Sequence, residues 1–363
     1  MKLRKPLLSI LAALILISAL SVLLVANLPS DLQAAPPQAS ASVQQAAPAP
    51  AAGRVLKPVP KSPPSNQPLL TFSVLSDAHV RAEDESSHQK LSAALSDLHN
   101  LDPNAEAIIL NGDMTDGLPE DYEALRNILE TAPLPDKLLY AIGNHEYYKA
   151  WHDDQGRWKP ASFPNGETEQ MSQTRFLQFS NAENLYFERI IAGYRFIVLG
   201  SEQYRQSDPG NGEDAVLSAK QLHWLDEKLH EEDGSGNPIF VFLHQPLPYT
   251  VAGSGLNRGV VAYTELKSIL SKYPQVIFFS SHTHWELKTP YTMRWDQFTM
   301  INTSSVGHPL TDDGKGGETE TAPEDSEGLF VRVFADRVEV RGRDFARNRW
   351  VPEAQFSVPV PGR

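Results

Sequence analysis

The stretch Leu138-Leu139-Tyr140-Ala141-Ile142-Gly143-Asn144-His145-Glu146 decides how the rest of the chain is read. Five apolar residues in succession predict a buried strand, and the glycine that follows predicts the turn that ends it. Directly beyond the turn stand an amide oxygen and an imidazole, a metal ligand type beside a proton donor type. A polar turn after a strand is ordinary when it occurs once. Here the same arrangement recurs after four other apolar runs: Asp77 with His79, Asp113 with Asp116, His244 alone, and His282 with His284.

Working outward, the chain alternates between strand-like and helix-like segments. Strands are predicted at 70–75, 107–110, 138–142, 239–243 and 276–279, and a hairpin at 187–191 and 194–199. Helical spacing appears at 86–98, 120–129, 218–229 and 263–270, with Ser218 as an N-cap. Residues 151–169 are polar, aromatic and irregular, and predict an insertion. After residue 296 the pattern turns to strands, at 297–302, 329–335, 338–341 and 345–351, with an exposed loop at 308–327. Strands alternating with helices predict a mainly parallel sheet covered by helices. The whole predicts a two-sheet α/β domain over residues 69–363, with helices on the outer faces.

Two segments precede that domain. Lys2, Arg4 and Lys5 come before an uncharged apolar run at 7–26, the layout of an export signal. Residues 1–34 are read as a signal peptide or a signal anchor. The run is long for a cleaved signal and just long enough to span a bilayer, and small residues at Ala34 and Ala39-Ser40-Ala41 offer cleavage sites. Residues 35–68, rich in Ala, Pro, Gln and Ser, are read as a solvated linker. The folded part is expected outside the cytoplasmic membrane, either free or anchored to its outer face through residues 7–26.

Composition narrows the chemistry. The chain has 363 residues and a formal net charge of -13, which argues against a broad nucleic-acid-binding surface and against a stable nucleic-acid partner. Cysteine is absent, so disulfides, thiolate metal sites and a cysteine nucleophile are excluded. In parallel α/β sheets ligands gather at the carboxyl ends of strands. His79, His145, His244, His282 and His284 all fall there, among eleven histidines. Carboxylate, imidazole and amide oxygen without sulfur suit Mn, Fe or Zn and disfavour an all-oxygen Mg or Ca site. The ligands are too many for one tetrahedral ion; two ions roughly 3.5–4 Å apart would use them all.

In that order, Asp-x-His, Gly-Asp-x-x-Asp, Gly-Asn-His-Glu, a lone His and His-x-His resemble the calcineurin-like metallophosphoesterases, from about Phe72 to His284. The resemblance implies a four-layer α/β/β/α sandwich and two divalent or trivalent ions (Mn, Fe or Zn). It implies that Asp77, His79 and His284 hold one ion, that Asn144, His244 and His282 hold the other, and that Asp113 bridges. It further implies that His145 is the leaving-group acid and Asp116 its orienting partner. The reaction implied is hydrolysis of a phosphomonoester or phosphodiester, small molecule or polymer, by a hydroxide bridging the ions.

The pattern also departs from relatives within that family. Ser281 stands where the last motif usually begins with glycine, which predicts a slight backbone adjustment with ligation intact. Asp116 occupies the position of the purple acid phosphatases' tyrosine, so an iron–tyrosinate centre is not expected. Gly117 and Leu118 stand where protein Ser/Thr phosphatases place an arginine, so that phosphate clamp is missing and diesters are favoured over dianionic monoesters. Tyr147, Tyr148, Trp151, His152 and Trp158 are read first as packing for the insertion, and second as a wall for the substrate's organic group. Asn302 to Ser305 with Gly307 resembles the family's late glycine/serine loop, and His308 is read first as a turn residue and second as a substrate contact. Arg258 and Arg294 are surface charges with phosphate contact as the alternative. The rival to the enzyme is a surface or wall-associated binding protein that keeps the fold without turnover.

Overall fold

The computed structural model describes residues 66–232, 234–255 and 258–360. The 7–26 apolar segment and nearly all of the linker lie outside the described residues. No described helix is long and apolar enough to cross a membrane. In chain order the elements are β1 (Leu70–Leu75), α1 (Glu85–Leu101), β2 (Ala107–Asn111), α2 (Pro119–Thr131), β3 (Lys137–Ala141), α3 (Glu169–Ser180), β4 (Phe187–Ile191) and β5 (Tyr194–Val198). There follow α4 (Ala219–His230), β6 (Ile239–Phe242), α5 (Tyr263–Leu270), β7 (Val276–Ser280), β8 (Met293–Trp295), β9 (Thr299–Asn302), β10 (Leu310–Asp312), β11 (Glu318–Glu320), β12 (Glu327–Val333), β13 (Arg337–Asp344) and β14 (Arg349–Pro359).

Two six-stranded sheets face each other. The first runs β14-β13-β12-β1-β2-β3 and the second β4-β5-β6-β7-β9-β8. β1, β2 and β3 are parallel, as are β5, β6, β7 and β9. The strands flanking each parallel core pair antiparallel with it, so both sheets are mixed. Because both faces of the central strands are covered, they read as unbroken apolar runs, and β1, β2, β5, β6 and β7 are buried throughout.

Alternate residues of these strands build the layer between the sheets. Phe72 of the first sheet sets its ring edge-on against Phe196 and Phe240 of the second, at centroid distances of 5.0 and 4.8 Å. The outer face of the first sheet packs on α1, α2 and Phe176 of α3, through Leu91, Leu95, Leu125 and Ile128. The outer face of the second packs on α4 and α5, through Leu222, Leu225, Leu229, Leu266 and Leu270. The result is the four-layer α/β/β/α sandwich expected. Ser218 caps α4, its side chain accepting from the Gln221 N–H.

Several sequence expectations need correcting. Beyond the irregular residues 151–169 lies α3, which the sequence does not announce: its only buried side chains are Ser172 and Phe176, too thin an apolar stripe. The expected loop at 308–327 contains the β10–β11 hairpin, built from two three-residue strands. The strand expected at 345–351 starts instead at Arg349 and runs to Pro359, after a turn.

Candidate metal centre

The carboxyl ends of β1, β2, β3, β6 and β7 converge, and the loops that leave them carry Asp77, His79, Asp113, Asp116, Asn144, His145, His244, His282 and His284. Three overlapping groups occur, and within each the possible ligand atoms lie within 4.8 Å of one another: Asp77, His79, Asp113 and His284; His79, Asp116 and His145; and Asp113, His244 and His282. Asp113 belongs to two of them. Asp77, His79, Asp113, His282 and His284 all adopt left-handed backbone, with φ between 44° and 66°. Such backbone is uncommon outside glycine and costs about 1–3 kcal/mol per residue. Its concentration at five candidate ligands marks the cluster as a place where geometry prevails over local stability.

Glycines let the strand ends approach. A Cβ on Gly143 would sit 2.2 Å from Asp113 Oδ1, and one on Gly112 would sit 2.5 Å from His244 Nδ1. The turn after β3 is tied to the turn after β2 by Glu146, whose side chain is fully buried. Its Oε2 accepts from the N–H groups of Asp113 (3.0 Å) and Gly143 (2.7 Å), and its Oε1 from Met114 (2.8 Å) and Thr115 (3.2 Å). Burial, then the nearby Asp113 charge, pushes the Glu146 carboxyl up to about 7.

Hydrogen bonds fix which nitrogen of two imidazoles is free. His244 Nδ1 lies 2.8 Å from the Asn111 carbonyl and His284 Nδ1 lies 2.9 Å from the His308 carbonyl. A carbonyl can only accept, so each Nδ1 carries the proton and each neutral ring directs the Nε2 lone pair inward. His284 Nε2 then faces His79 Nε2 at 3.1 Å and Asp77 Oδ1 at 2.9 Å. His244 Nε2 faces Asp113 Oδ2 at 3.0 Å. Asp77 Oδ1, Asn144 Oδ1, His244 Nε2 and both ring nitrogens of His282 are buried without a hydrogen-bond partner. Electron-rich atoms this close, desolvated and without donors, repel unless cations or protons lie among them. The donor set fits divalent cations.

Without cations, protons take part of that burden. Burial pulls His244 down, but the Asp113 and Asp77 carboxylates prevail and raise it to about 9. Burial, with the neighbouring histidine charges, holds His79 and His282 well below the usual histidine range. Burial opposes ionisation of Asp113, yet His244 and His145 beside it hold it well below the usual carboxylate range.

His145 stands at the rim. Its Nδ1 lies 2.7 Å from Asp116 Oδ1, and its Nε2 lies 3.9 Å from Asp113 Oδ2. Tyr148 stacks on its ring at 3.8 Å. Burial lowers its pKa, but Asp113 and the Asp116 hydrogen bond raise it to about 9. The mouth is a cleft of about 340 Å³ bordered by Arg81, Asp116, His308, Leu310 and Glu320. The β10–β11 hairpin forms one wall of it: Leu310 donates its N–H to the His284 carbonyl and accepts from the Glu286 N–H.

Secondary expectations sort as follows. Tyr147 is buried with its hydroxyl on the Ser201 carbonyl, and Trp151 packs against Phe163 and Trp158, so both serve the insertion's core. Arg258 is ion-paired with Glu318 of the hairpin. His308 contributes through its backbone carbonyl to His284. The Ser281 hydroxyl accepts from Ser76 Oγ (2.7 Å) and donates to the Asn111 carbonyl (3.1 Å), beside His244 Nδ1. The late loop clamps β1, with Ser305 Oγ and the Gly307 N–H both donating to the Asp77 carbonyl. The bracing role of Glu146 and the position of Glu213, whose Oε2 accepts from Asn144 Nδ2 at 3.0 Å, were missed. Adjacency to His145 was the only signal for Glu146, and Glu213 had none.

A family model for calcineurin-like phosphoesterases matches residues 70–286. A probable glycerophosphodiester phosphodiesterase of Arcobacter nitrofigilis is 22% identical over 245 residues, covering 65% of this chain and 78% of the relative. A 3′,5′-cyclic-nucleotide phosphodiesterase of Nostoc sp. is 26% identical over 229 residues, covering 60% and 73%. Among solved structures, a dimetal phosphatase from Danio rerio superposes with a TM-score of 0.59 at 16% identity, covering 81% of this chain and all of that one. The chain belongs to the calcineurin-like phosphoesterase family and is a phosphoesterase.

Proposed function

We propose that the chain is a dinuclear-metal phosphodiesterase acting outside the cytoplasm. The observation that carries the reading is the convergence of buried donor atoms from five strand ends, several with lone pairs facing one another and no hydrogen donor between them. In this assignment Asp77, His79 and His284 hold one ion, Asn144, His244 and His282 the other, and Asp113 serves both. When bound, such ions neutralise phosphoryl charge and lower the pKa of a bound water toward neutrality. Mn, Fe and Zn suit the imidazole-rich donor set.

The chain's own residues manage the leaving group. Asp116 Oδ1 accepts the Nδ1 proton of His145 and fixes the ring, so the Nε2 proton is the one available for transfer to the departing oxygen. Tyr148, stacked on the ring, limits its rotation. The two named relatives act, by their names, on glycerophosphodiesters and cyclic nucleotides, which supports diesters. So does the sequence after Asp116, where Gly117 and Leu118 stand in place of the arginine clamp of the protein Ser/Thr phosphatases.

The test is hydrolysis of bis-aryl and mono-aryl phosphates by protein loaded separately with Mn, Fe and Zn. A higher kcat/KM on the bis-aryl ester is expected. A preference for the mono-aryl ester would overturn the diester assignment, and turnover of neither with two ions bound would favour a binding protein on the same fold. Export rests on residues 1–34 and is tested separately. Recovery of the protein outside the cytoplasm or on the outer face of the membrane is expected, and a cytoplasmic location would contradict it.

A further inference from the structure

Asn144 is the one amide in the donor set, and an amide ligates through oxygen only if its nitrogen is kept away from the ion. The Asn144 Nδ2 group donates to Glu213 Oε2 at 3.0 Å and to the Tyr148 hydroxyl at 3.4 Å, while Oδ1 is buried and unpaired. Reversing the amide would set Oδ1 against the Glu213 carboxylate, oxygen to oxygen, and turn two hydrogens toward the ligand cluster. Glu213 therefore selects one of the two amide orientations.

Glu213 is itself held. Its Oε1 accepts from the Tyr204 hydroxyl at 3.1 Å and lies 3.7 Å from Arg205 Nη1. Its backbone carbonyl accepts from Gln245 Nε2 at 3.2 Å, beside the ligand His244. It comes from the loop between β5 and α4, a segment that supplies no ligand in the assignment above. We infer that Glu213 is the positioning residue that turns the Asn144 amide oxygen toward the cluster, so that occupancy of the second metal position depends on the β5–α4 loop. The inference rests on the proposed assignment of Asn144, and it concerns metal affinity before any turnover.

The experiment is equilibrium dialysis of the full chain against graded free Mn(II), with metal counting and electron paramagnetic resonance to distinguish coupled from isolated ions. Glu213→Leu is expected to weaken the second ion by about 10–100-fold and to replace the coupled signal with that of an isolated ion. Glu213→Gln still offers an acceptor oxygen but can also donate to a reversed amide, so it is expected to weaken the second ion less than Glu213→Leu does. Where Glu213→Leu does not fold by circular dichroism, Glu213→Asp keeps the charge but withdraws it from Asn144, and should weaken the second ion in the same direction. Two ions bound with wild-type affinity in the folded Leu or Asp variant would overturn the inference, as would a loss in Gln equal to that in Leu. Asn144→Ala separates the two levels: if it retains both ions, the metal assignment itself fails. If it loses one while Glu213→Leu does not, only the role of Glu213 fails.

Discussion

The two sheets brace their shares of the cluster by opposite means. The first sheet supplies the carboxylates, and the loops that carry them are held by hydrogen donors: Glu146 gathers four backbone N–H groups, and the His145 N–H reaches Asp113 Oδ1 at 2.8 Å. The second sheet supplies imidazoles only, and two of them, His244 and His284, are held by acceptors, the Asn111 and His308 carbonyls, with the neutral hydroxyls of Ser281 and Ser76 beside His244. Each brace is dictated by its ligand. A carboxylate is steadied by donors on the oxygen it does not present, while an imidazole presents a lone pair only if its other nitrogen gives up its proton to an acceptor. The first brace rests on the single side chain of Glu146, whereas the second is shared among several groups.

The largest effect is expected where the two halves meet. Asp113→Ala removes the carboxylate common to both groups, and metal analysis should find the ion pair lost and activity with it; two ions retained would show that neither half depends on Asp113. Next comes the first brace. Glu146→Gln leaves one oxygen where four N–H groups need two, and turns an NH₂ toward two of them. Each stranded donor costs about 1–3 kcal/mol, so urea unfolding should show a loss of about 2–6 kcal/mol. An unchanged midpoint would mean that the first sheet's loops are held by something else.

A third prediction concerns chemistry on the first-sheet side. His145→Ala should reduce kcat by about 10²–10⁴ on esters with poor leaving groups and less on activated aryl esters; equal losses on both would remove the acid role. If His145 acts as the acid, its protonated form is the active one; the Asp116 hydrogen bond favours that form, so wild-type turnover of poor leaving groups should fall on the alkaline side. That limb should be absent from His145→Ala. The smallest effect belongs to the second brace. Ser281→Gly removes one hydroxyl, but the Asn111 carbonyl keeps its bonds from Ser76 Oγ and His244 Nδ1. A loss of about 1 kcal/mol with both ions retained is expected; loss of an ion would show that the second sheet is braced as critically as the first.

Much of this was readable from the chain because buried parallel strands write themselves as apolar runs, and a polar residue directly after such a run marks the ligand edge. That is why Asp77, Asp113, Asn144, His244 and His282 stood out without coordinates. Strands of three residues carry no period, so the β10–β11 hairpin passed as a loop although it walls the cleft. α3 failed for a related reason, since it buries so little that no stripe appears. Bracing residues were the hardest to see. Glu146 looked like one more charge in a turn, and Glu213 lies 69 positions from Asn144, where local sequence says nothing about their contact.

The central claim is that residues from five separate strand ends hold two cations in common. The direct measurement is anomalous X-ray scattering from crystals of the protein soaked or grown with Mn(II). Two peaks about 3.5–4 Å apart, with Asp113 between them and Asn144 Oδ1 on one, are predicted. A single peak, or two peaks that do not share Asp113, would contradict the account.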